Sequence, residues 1–132
     1  MNAPAILAGR VLLVALFVFS GATKLVDLAG TAGHIQAKGL PAPTVLAVAA
    51  ATVEIVGGMM IIFGWKTRLA AVVLAVFIAA AAMVFHDFWT LSGREQINQM
   101  LHAFKNVSMI GGLMILYGAG SGPLSVERWH YR

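Results

Sequence analysis

A single carboxylate near the centre of a long apolar stretch most constrains how this chain can fold. Glu54 is the only charged residue in residues 44–64. A helix needs about twenty apolar residues to cross the hydrocarbon core of a bilayer, so the stretch is predicted to span a membrane. An ionisable group near the midplane costs at least about 2–3 kcal/mol and normally faces the protein interior. The sequence therefore predicts that Glu54 has a partner or a task inside a helical bundle.

Composition places the chain among membrane proteins. Hydrophobic residues make up 60% and charged residues only 11% of its 132 residues, whereas soluble domains carry about a quarter charged residues. The net charge of +4 is spread beside the apolar stretches without a basic run. This pattern is typical of contact with lipid headgroups and excludes a nucleic-acid partner. The chain has no cysteine, which excludes disulfides and thiolate-ligated metal clusters.

Four apolar stretches predict an all-α fold: a single transmembrane domain built as a four-helix up-down bundle. The spans are expected at about residues 6–25, 44–64, 69–88 and 100–118. Within the first connection, residues 27–38 could form a short interfacial helix that ends at the glycine and prolines of residues 39–43. The first span leads directly into further spans, which argues against a cleaved secretory signal.

The lysines and arginines between the spans predict the orientation. If both termini lie on one face, that face holds Lys66, Arg68, Arg128 and Arg132, with Arg10 nearby. The opposite face holds Lys38 and Arg94. Because lysine and arginine concentrate on the cytoplasmic side, we expect both termini in the cytoplasm.

Two cations of the first span are candidate partners of Glu54. Arg10 and Lys24 lie on one stripe of that helix, since each is seven residues from Phe17. Gly57 and Gly58 share the stripe of Glu54 and would let a neighbouring helix approach closely. The pattern predicts a buried charge network of Arg10, Lys24 and Glu54. Two alternatives remain: long cations can snorkel to headgroups, and the carboxyl group can be a neutral hydrogen-bond donor.

Polar residues near the non-cytoplasmic end predict a ligand pocket. In the fourth span, His102, Lys105 and Asn106 share one face by their three- and four-residue spacing. His86 and Asp87 close the third span near the same membrane surface, although they could also form only a polar interfacial cap. The predicted pocket comprises Lys24, Glu54, His86, Asp87, His102, Lys105 and Asn106. No metal site is predicted, because the histidine spacing matches no compact motif and nearby lysines would repel a cation.

Short motifs along nearly the whole chain carry a family resemblance. They are Arg10 with residues 19–24, residues 39–41, Glu54 with Gly57 and Gly58, residues 64–70, 85–87 and 104–107, the glycine pair at 111 and 112, and residues 122–125. In this order and spacing the sequence resembles the DoxX family of small bacterial membrane proteins. The resemblance implies a four-span bundle and identifies Arg10, Gly21, Lys24 and Glu54 as carriers of family features. It also implies the bacterial inner membrane as location.

Two functional hypotheses follow. The family takes its name from membrane subunits of a thiosulfate:quinone oxidoreductase, so the resemblance implies a membrane subunit of a quinone-linked oxidoreductase complex. Such a subunit would contain no built-in cofactor and would bind quinone or another molecule with a small polar head. The alternative is a non-catalytic bundle that scaffolds or stabilises a partner membrane protein, because no complete catalytic constellation can be assembled. Both hypotheses predict contact with membrane lipids and association with a protein partner or a second copy of the chain.

Overall fold

The computed structural model describes residues 2–129, and all regular secondary structure among them is helical. The chain forms four long helices, two short helices and a 3-10 turn. The helices are α1 (Ala3–Val26), α2 (Leu28–Ala37), α3 (Pro43–Phe63), α4 (Thr67–Phe85), α5 (Gly93–Ala119) and α6 (Val126–Trp129), and the 3-10 turn is Phe88–Thr90. The all-α prediction is confirmed, and α2 occupies the stretch in which a short helix was expected.

Within residues 2–129, three stretches are long and apolar enough to cross a membrane: Ala3–Val26, Pro43–Phe63 and Thr67–Thr90. The predicted fourth span lies within α5, which is 27 residues long but does not reach the same apolarity. The reason is that the expected span itself contains His102, Lys105 and Asn106, and the residues of α5 before it are also polar. The first half of α5 therefore includes Arg94, Glu95 and Lys105.

Local sequence signals explain where the long helices begin and end. The side chain of Asn2 accepts a hydrogen bond from the Ala5 amide at 3.2 Å and caps α1, which has proline in its first turn. Helix α3 starts at Pro43 and ends at Phe63, followed by the capping residue Gly64, whose φ of 69° lies in the left-handed region. A Cβ at Gly64 would also collide with the Arg10 guanidinium and with Ser125. The tight turn that follows sends α4 back antiparallel to α3.

Small residues let α3 pack closely against helices on two sides. A Cβ at Gly21 in α1 would lie 2.9 Å from the Ala51 carbonyl oxygen of α3, and one at Gly58 would lie 2.6 Å from Val18. On the other side, a Cβ at Gly57 would lie 3.0 Å from Leu74 of α4. The predicted close approach of a neighbouring helix at the α3 glycines is therefore confirmed. The buried core around these contacts consists of Val14, Phe17, Ile61, Ala70, Ala71, Leu74, Ile78, Leu113 and Leu116.

Helix α2 lies across one end of the bundle. Its N-terminus is capped by Asp27, whose carboxylate accepts from the Gly30 amide at 3.0 Å. Ala32 and Ile35 of α2 are buried against Ala47 of α3, and Phe85 at the end of α4 packs against this cluster. The end of the bundle that holds the α1–α2 and α4–α5 connections is thus covered by α2.

The opposite end of the bundle contains both ends of the described chain. A Cβ at Gly122 would lie 2.7 Å from Ile6, so the segment after α5 packs against the beginning of α1. The Arg10 side chain donates to the Leu124 carbonyl oxygen, and the Glu127 amide donates to the Gly64 carbonyl oxygen at 3.1 Å. We call residues 120–129 the C-terminal strap.

Candidate ligand cavity between the helices

Glu54 pairs with Lys24, one of the two cations predicted to reach it. The Lys24 ammonium nitrogen lies 2.8 Å from Oε2 of Glu54, and the side chain of Glu54 is 7% exposed against 26% for Lys24. Ser20 completes the cluster, because its hydroxyl donates to Oε1 of Glu54 at 3.1 Å and accepts from Lys24. Ser20 lies one helical turn before Lys24, so both reach Glu54 from the same face of α1.

Arg10 does not join this pair, contrary to the predicted three-residue network. It is buried, 2% exposed, at the other end of α1, where it donates to Leu124. Fourteen residues separate Arg10 from Lys24, or about 21 Å along a helix that rises 1.5 Å per residue. Glu54 lies beside Gly21 and so at the level of Lys24. No pattern in the sequence indicates that a backbone carbonyl of the C-terminal strap would reach Arg10.

A cavity of about 640 Å³ lies between α1, α3, α4 and α5 beneath α2. Its volume is typical of small-molecule sites, which also combine mostly apolar walls with a few polar groups. Leu16, Phe17, Leu46, Phe77, Ile78 and Met109 are among the apolar lining residues. The polar lining residues are Ser20, Lys24, Thr31, His34, Glu54, His86, Lys105 and Asn106.

Five of the seven residues predicted to form a pocket line this cavity: Lys24, Glu54, His86, Lys105 and Asn106. Asp87 does not line it, because its carboxylate pairs with Lys38 at 3.0 Å and accepts from the Thr90 hydroxyl at 3.3 Å. The Lys38–Asp87 pair connects the end of α2 to the end of α4. His102 does not line the cavity either. It lies behind His86, with the two rings stacked at 5.3 Å and its Nδ1 3.3 Å from the Lys105 ammonium.

A hydrogen-bonded chain orients the His86 ring. The Gln99 amide nitrogen donates to a carboxylate oxygen of Glu95 at 3.0 Å, so its Oε1 faces Nδ1 of His86 at 2.8 Å. Because Oε1 is an acceptor, Nδ1 must carry the proton. In the neutral ring Nε2 is then a hydrogen-bond acceptor.

Asn106 places a buried amide in the wall of the cavity. The residue is 6% exposed, and its side chain makes no hydrogen bond to another residue between positions 2 and 129. Asn106 therefore offers one acceptor and two donor hydrogens to a molecule bound in the cavity.

Three of the polar lining residues, Ser20, Thr31 and His34, were not predicted from the sequence. Ser20 could have been predicted, because it precedes Lys24 by four residues and so lies on the same face of the apolar helix. Thr31 and His34 belong to α2, which was expected to lie at the interface without contributing to a site. In the described part of the chain, no three side chains of metal-ligand type come together.

The comparisons with known proteins agree on the family. The DoxX family model matches residues 5–87, from the start of α1 to just past α4. The inner membrane protein YphA of Escherichia coli strain K12 is 28% identical over 123 residues, which cover 93% of this chain and 88% of YphA. The inner membrane protein YqjF of the same organism is 32% identical over 126 residues, covering 93% of this chain and 89% of YqjF.

A more distant relative is the yeast ER-derived vesicles protein ERV29, at 26% identity over 73 residues that cover 55% of this chain and 24% of ERV29. No solved structure matches the chain. The family match and the two inner membrane relatives confirm the resemblance seen in the sequence motifs. The chain belongs to the DoxX family of membrane proteins.

Proposed function

We propose that the cavity binds a quinone, or a molecule with a similarly small polar head, and that the protein acts as a membrane subunit of a quinone-linked oxidoreductase complex. The observation that carries the proposal is the placement of two polar groups in one largely apolar cavity. The buried Lys24–Glu54 pair lies in the α1 and α3 walls, and the unpartnered amide of Asn106 lies in the α5 wall. Apolar side chains between them suit a ring or an alkyl chain.

The polar groups match the needs of a quinone head. Lys24 and Asn106 can each donate a hydrogen bond to a carbonyl oxygen. A bound quinone would accept two electrons and two protons to form the quinol. Glu54 can hold a proton on the α3 side, and Nε2 of His86 can hold one on the other side. The electrons would come from a partner protein of the complex.

The proposal includes α5 as a fourth membrane span. His102 stacks on His86 at the end of α4, and the residues just after α5 pack against Ile6 at the start of α1. From His102 to Ala119 a helix rises about 26 Å, close to the roughly 30 Å of a hydrocarbon core. Asn106 faces the cavity, which removes one polar side chain from the lipid. Both ends of the described chain are then on the same side, and the lysine and arginine distribution supports a cytoplasmic location for that side.

The experiment is to measure quinone binding by the purified protein in detergent, with a short-chain ubiquinone analogue and a menaquinone analogue as probes. The informative variant is Asn106→Leu, because leucine has a similar volume but no hydrogen-bonding group. We expect about five- to twelvefold weaker binding, since one buried hydrogen bond is worth about 1–1.5 kcal/mol. The matched control is Ser108→Ala on the exposed side of α5, where the hydroxyl bonds only to the Phe104 carbonyl oxygen.

Unchanged binding in Asn106→Leu, or no binding of either probe by the parent protein, would contradict the proposal. Extraction and mass spectrometry of molecules that copurify with the parent would then identify any other occupant of the cavity.

A second candidate function is the non-catalytic scaffold. The observation in its favour is that Lys24 and Glu54 already satisfy each other, as a pair that serves only folding and specificity would do. This candidate predicts a stable protein partner or a second copy of the chain, and no bound small molecule. Copurification from native membranes distinguishes the two.

A further inference from the structure

A second cavity, of about 400 Å³, lies at the end of the bundle where the C-terminal strap meets the α3–α4 turn. Lys66 and Arg68 enter it from the turn, and Glu127 and Arg128 from the strap. The backbone of residues 120–122 forms another wall. This cavity is separate from the site of the proposed function, which lies beneath α2 at the other end.

The cavity carries excess positive charge. Between positions 2 and 129, no carboxylate forms an ion pair with Lys66, Arg68 or Arg128. The acidic residue of the lining, Glu127, is engaged elsewhere. Its Oε1 accepts a hydrogen bond from the Thr67 amide at 3.2 Å, and its charge attracts that of buried Arg10. The cavity therefore holds three cations against one carboxylate, and none of the three forms an ion pair within residues 2–129.

Two tryptophans indicate the depth of this cavity in the membrane. Trp65 precedes Lys66, whose ammonium lies 5.4 Å from the centre of the Trp65 ring. Trp129 follows Arg128, and both tryptophans are largely exposed, at 48% and 81%. Exposed tryptophans at the ends of membrane helices lie at the headgroup level. The three cations are thus at the depth where lipid phosphates are found.

We infer that Lys66, Arg68 and Arg128 bind the phosphate of an anionic membrane lipid in this cavity. The arginine guanidinium groups can each donate two parallel hydrogen bonds to phosphate oxygens, and the Lys66 ammonium adds a point charge. A free phosphate ion has the same chemistry, but the exposed tryptophans and the apolar helices beside the cavity favour a headgroup whose acyl chains remain in the bilayer. The site binds one lipid at a defined position, in contrast to diffuse attraction between net charges.

The test uses the delipidated full-length protein in a neutral detergent. Phosphatidylglycerol, phosphatidylcholine and inorganic phosphate are titrated separately, and bound lipid is counted by native mass spectrometry. The parent protein is expected to bind one phosphatidylglycerol at least about tenfold more tightly than phosphatidylcholine. Arg68→Gln should remove at least about tenfold of that preference, as expected for loss of a charge-assisted, bidentate contact.

The matched control is Arg94→Gln, which removes the same charge from an exposed position at the start of α5, at the other end of the bundle. Lys66→Gln provides an independent variant if Arg68→Gln does not fold. Equal losses in the Arg68 and Arg94 variants would overturn the inference, because net charge alone would then explain binding. Displacement of the lipid by millimolar inorganic phosphate would also overturn it, since the ligand would then be the free ion.

Discussion

The ammonium nitrogen of Lys24 lies 2.8 Å from Oε2 of Glu54, at the level where Gly21 brings α1 against α3. A Cβ at position 21 would lie 3.2 Å from the Cβ of Glu54, so the two charges meet because a glycine one turn below removes the obstacle between the helices. The pair also forms part of the cavity wall. The contact between α1 and α3 at Gly21 therefore affects both the stability of the Lys24–Glu54 pair and its access to a ligand.

Removing one member of the pair should destabilise the protein more than removing both. Glu54→Gln leaves Lys24 without its carboxylate, and breaking a fully buried pair costs about 3–5 kcal/mol. Here the cost should be about 3 kcal/mol or less, because Lys24 is a quarter exposed and can move toward water. We expect the double variant Lys24→Met/Glu54→Gln to recover part of the loss in a thermal-unfolding double-mutant cycle. Additive losses would show that the pair contributes no coupling energy.

The Lys24–Glu54 contact was predictable from the sequence because charges are rare in membrane spans and helical spacing is regular. Two of the residues that were predicted in the wrong place, Asp87 and Arg10, show a different origin of error. Asp87 pairs with Lys38, which depends on how α2 folds back over the end of α4. Arg10 binds the carbonyl oxygen of Leu124, a backbone group that no side-chain pattern reveals. Long helices and their antiparallel order can thus be read from the chain, whereas contacts made by short connections and backbone atoms cannot.

The same distinction applies to α5. The span predicted at about residues 100–118 lies within a helix, but the helix itself starts at Gly93. The polar residues of its first half suggested a loop by composition. They are helical instead, and Gln99 and His102 of this half contact His86 at the end of α4.

Gly21→Ala should destabilise the protein by separating α1 from α3. The new Cβ would lie 2.7 Å from Ile55 Cγ1 and 2.9 Å from the Ala51 carbonyl oxygen, and the backbone atom cannot rotate away. Overpacking of this kind costs about 1–3 kcal/mol. The matched control is Gly9→Ala in the same helix, where a Cβ meets nothing within 4 Å. Alanine there should be neutral or stabilise by up to about 1 kcal/mol. Thermal unfolding that ranks the two variants in the opposite order would contradict the observed contact.

Arg10→Met should release the C-terminal strap from the bundle. Methionine keeps much of the apolar stem but cannot donate to the Leu124 carbonyl oxygen or attract Glu127. Hydrogen exchange should then increase in residues 120–129 and stay unchanged in α3. Glu127→Gln is the comparison variant, because its amide oxygen can still accept from the Thr67 amide. We expect a smaller increase in exchange for this variant. Full protection of the strap in Arg10→Met would show that the apolar contact between Gly122 and Ile6 holds it without the arginine.

Single cysteines will test whether α5 crosses the membrane, since the chain has no native cysteine. Arg94→Cys lies at the start of α5 and Ser121→Cys just after its end. If α5 spans the bilayer, a membrane-impermeant maleimide should label position 94 only from outside and position 121 only from the cytoplasm. Lys38→Cys and Lys66→Cys are the matched controls, because α3 lies between them and qualifies as a span on length and apolarity. Position 38 should behave like 94, and position 66 like 121.

Two contacts explain why positions 94 and 121 are expected on opposite sides of the membrane. The contact of Gly122 with Ile6 holds the end of α5 at the start of α1, while the His86–His102 stack holds its first half at the end of α4. A helix fixed at both points has to run the length of α4, so positions 94 and 121 cannot reach the same membrane surface unless one contact is lost. Labelling of both positions from one side would therefore exclude the fourth span. It would also place Asn106 in a surface helix and remove the cavity wall on which quinone binding depends.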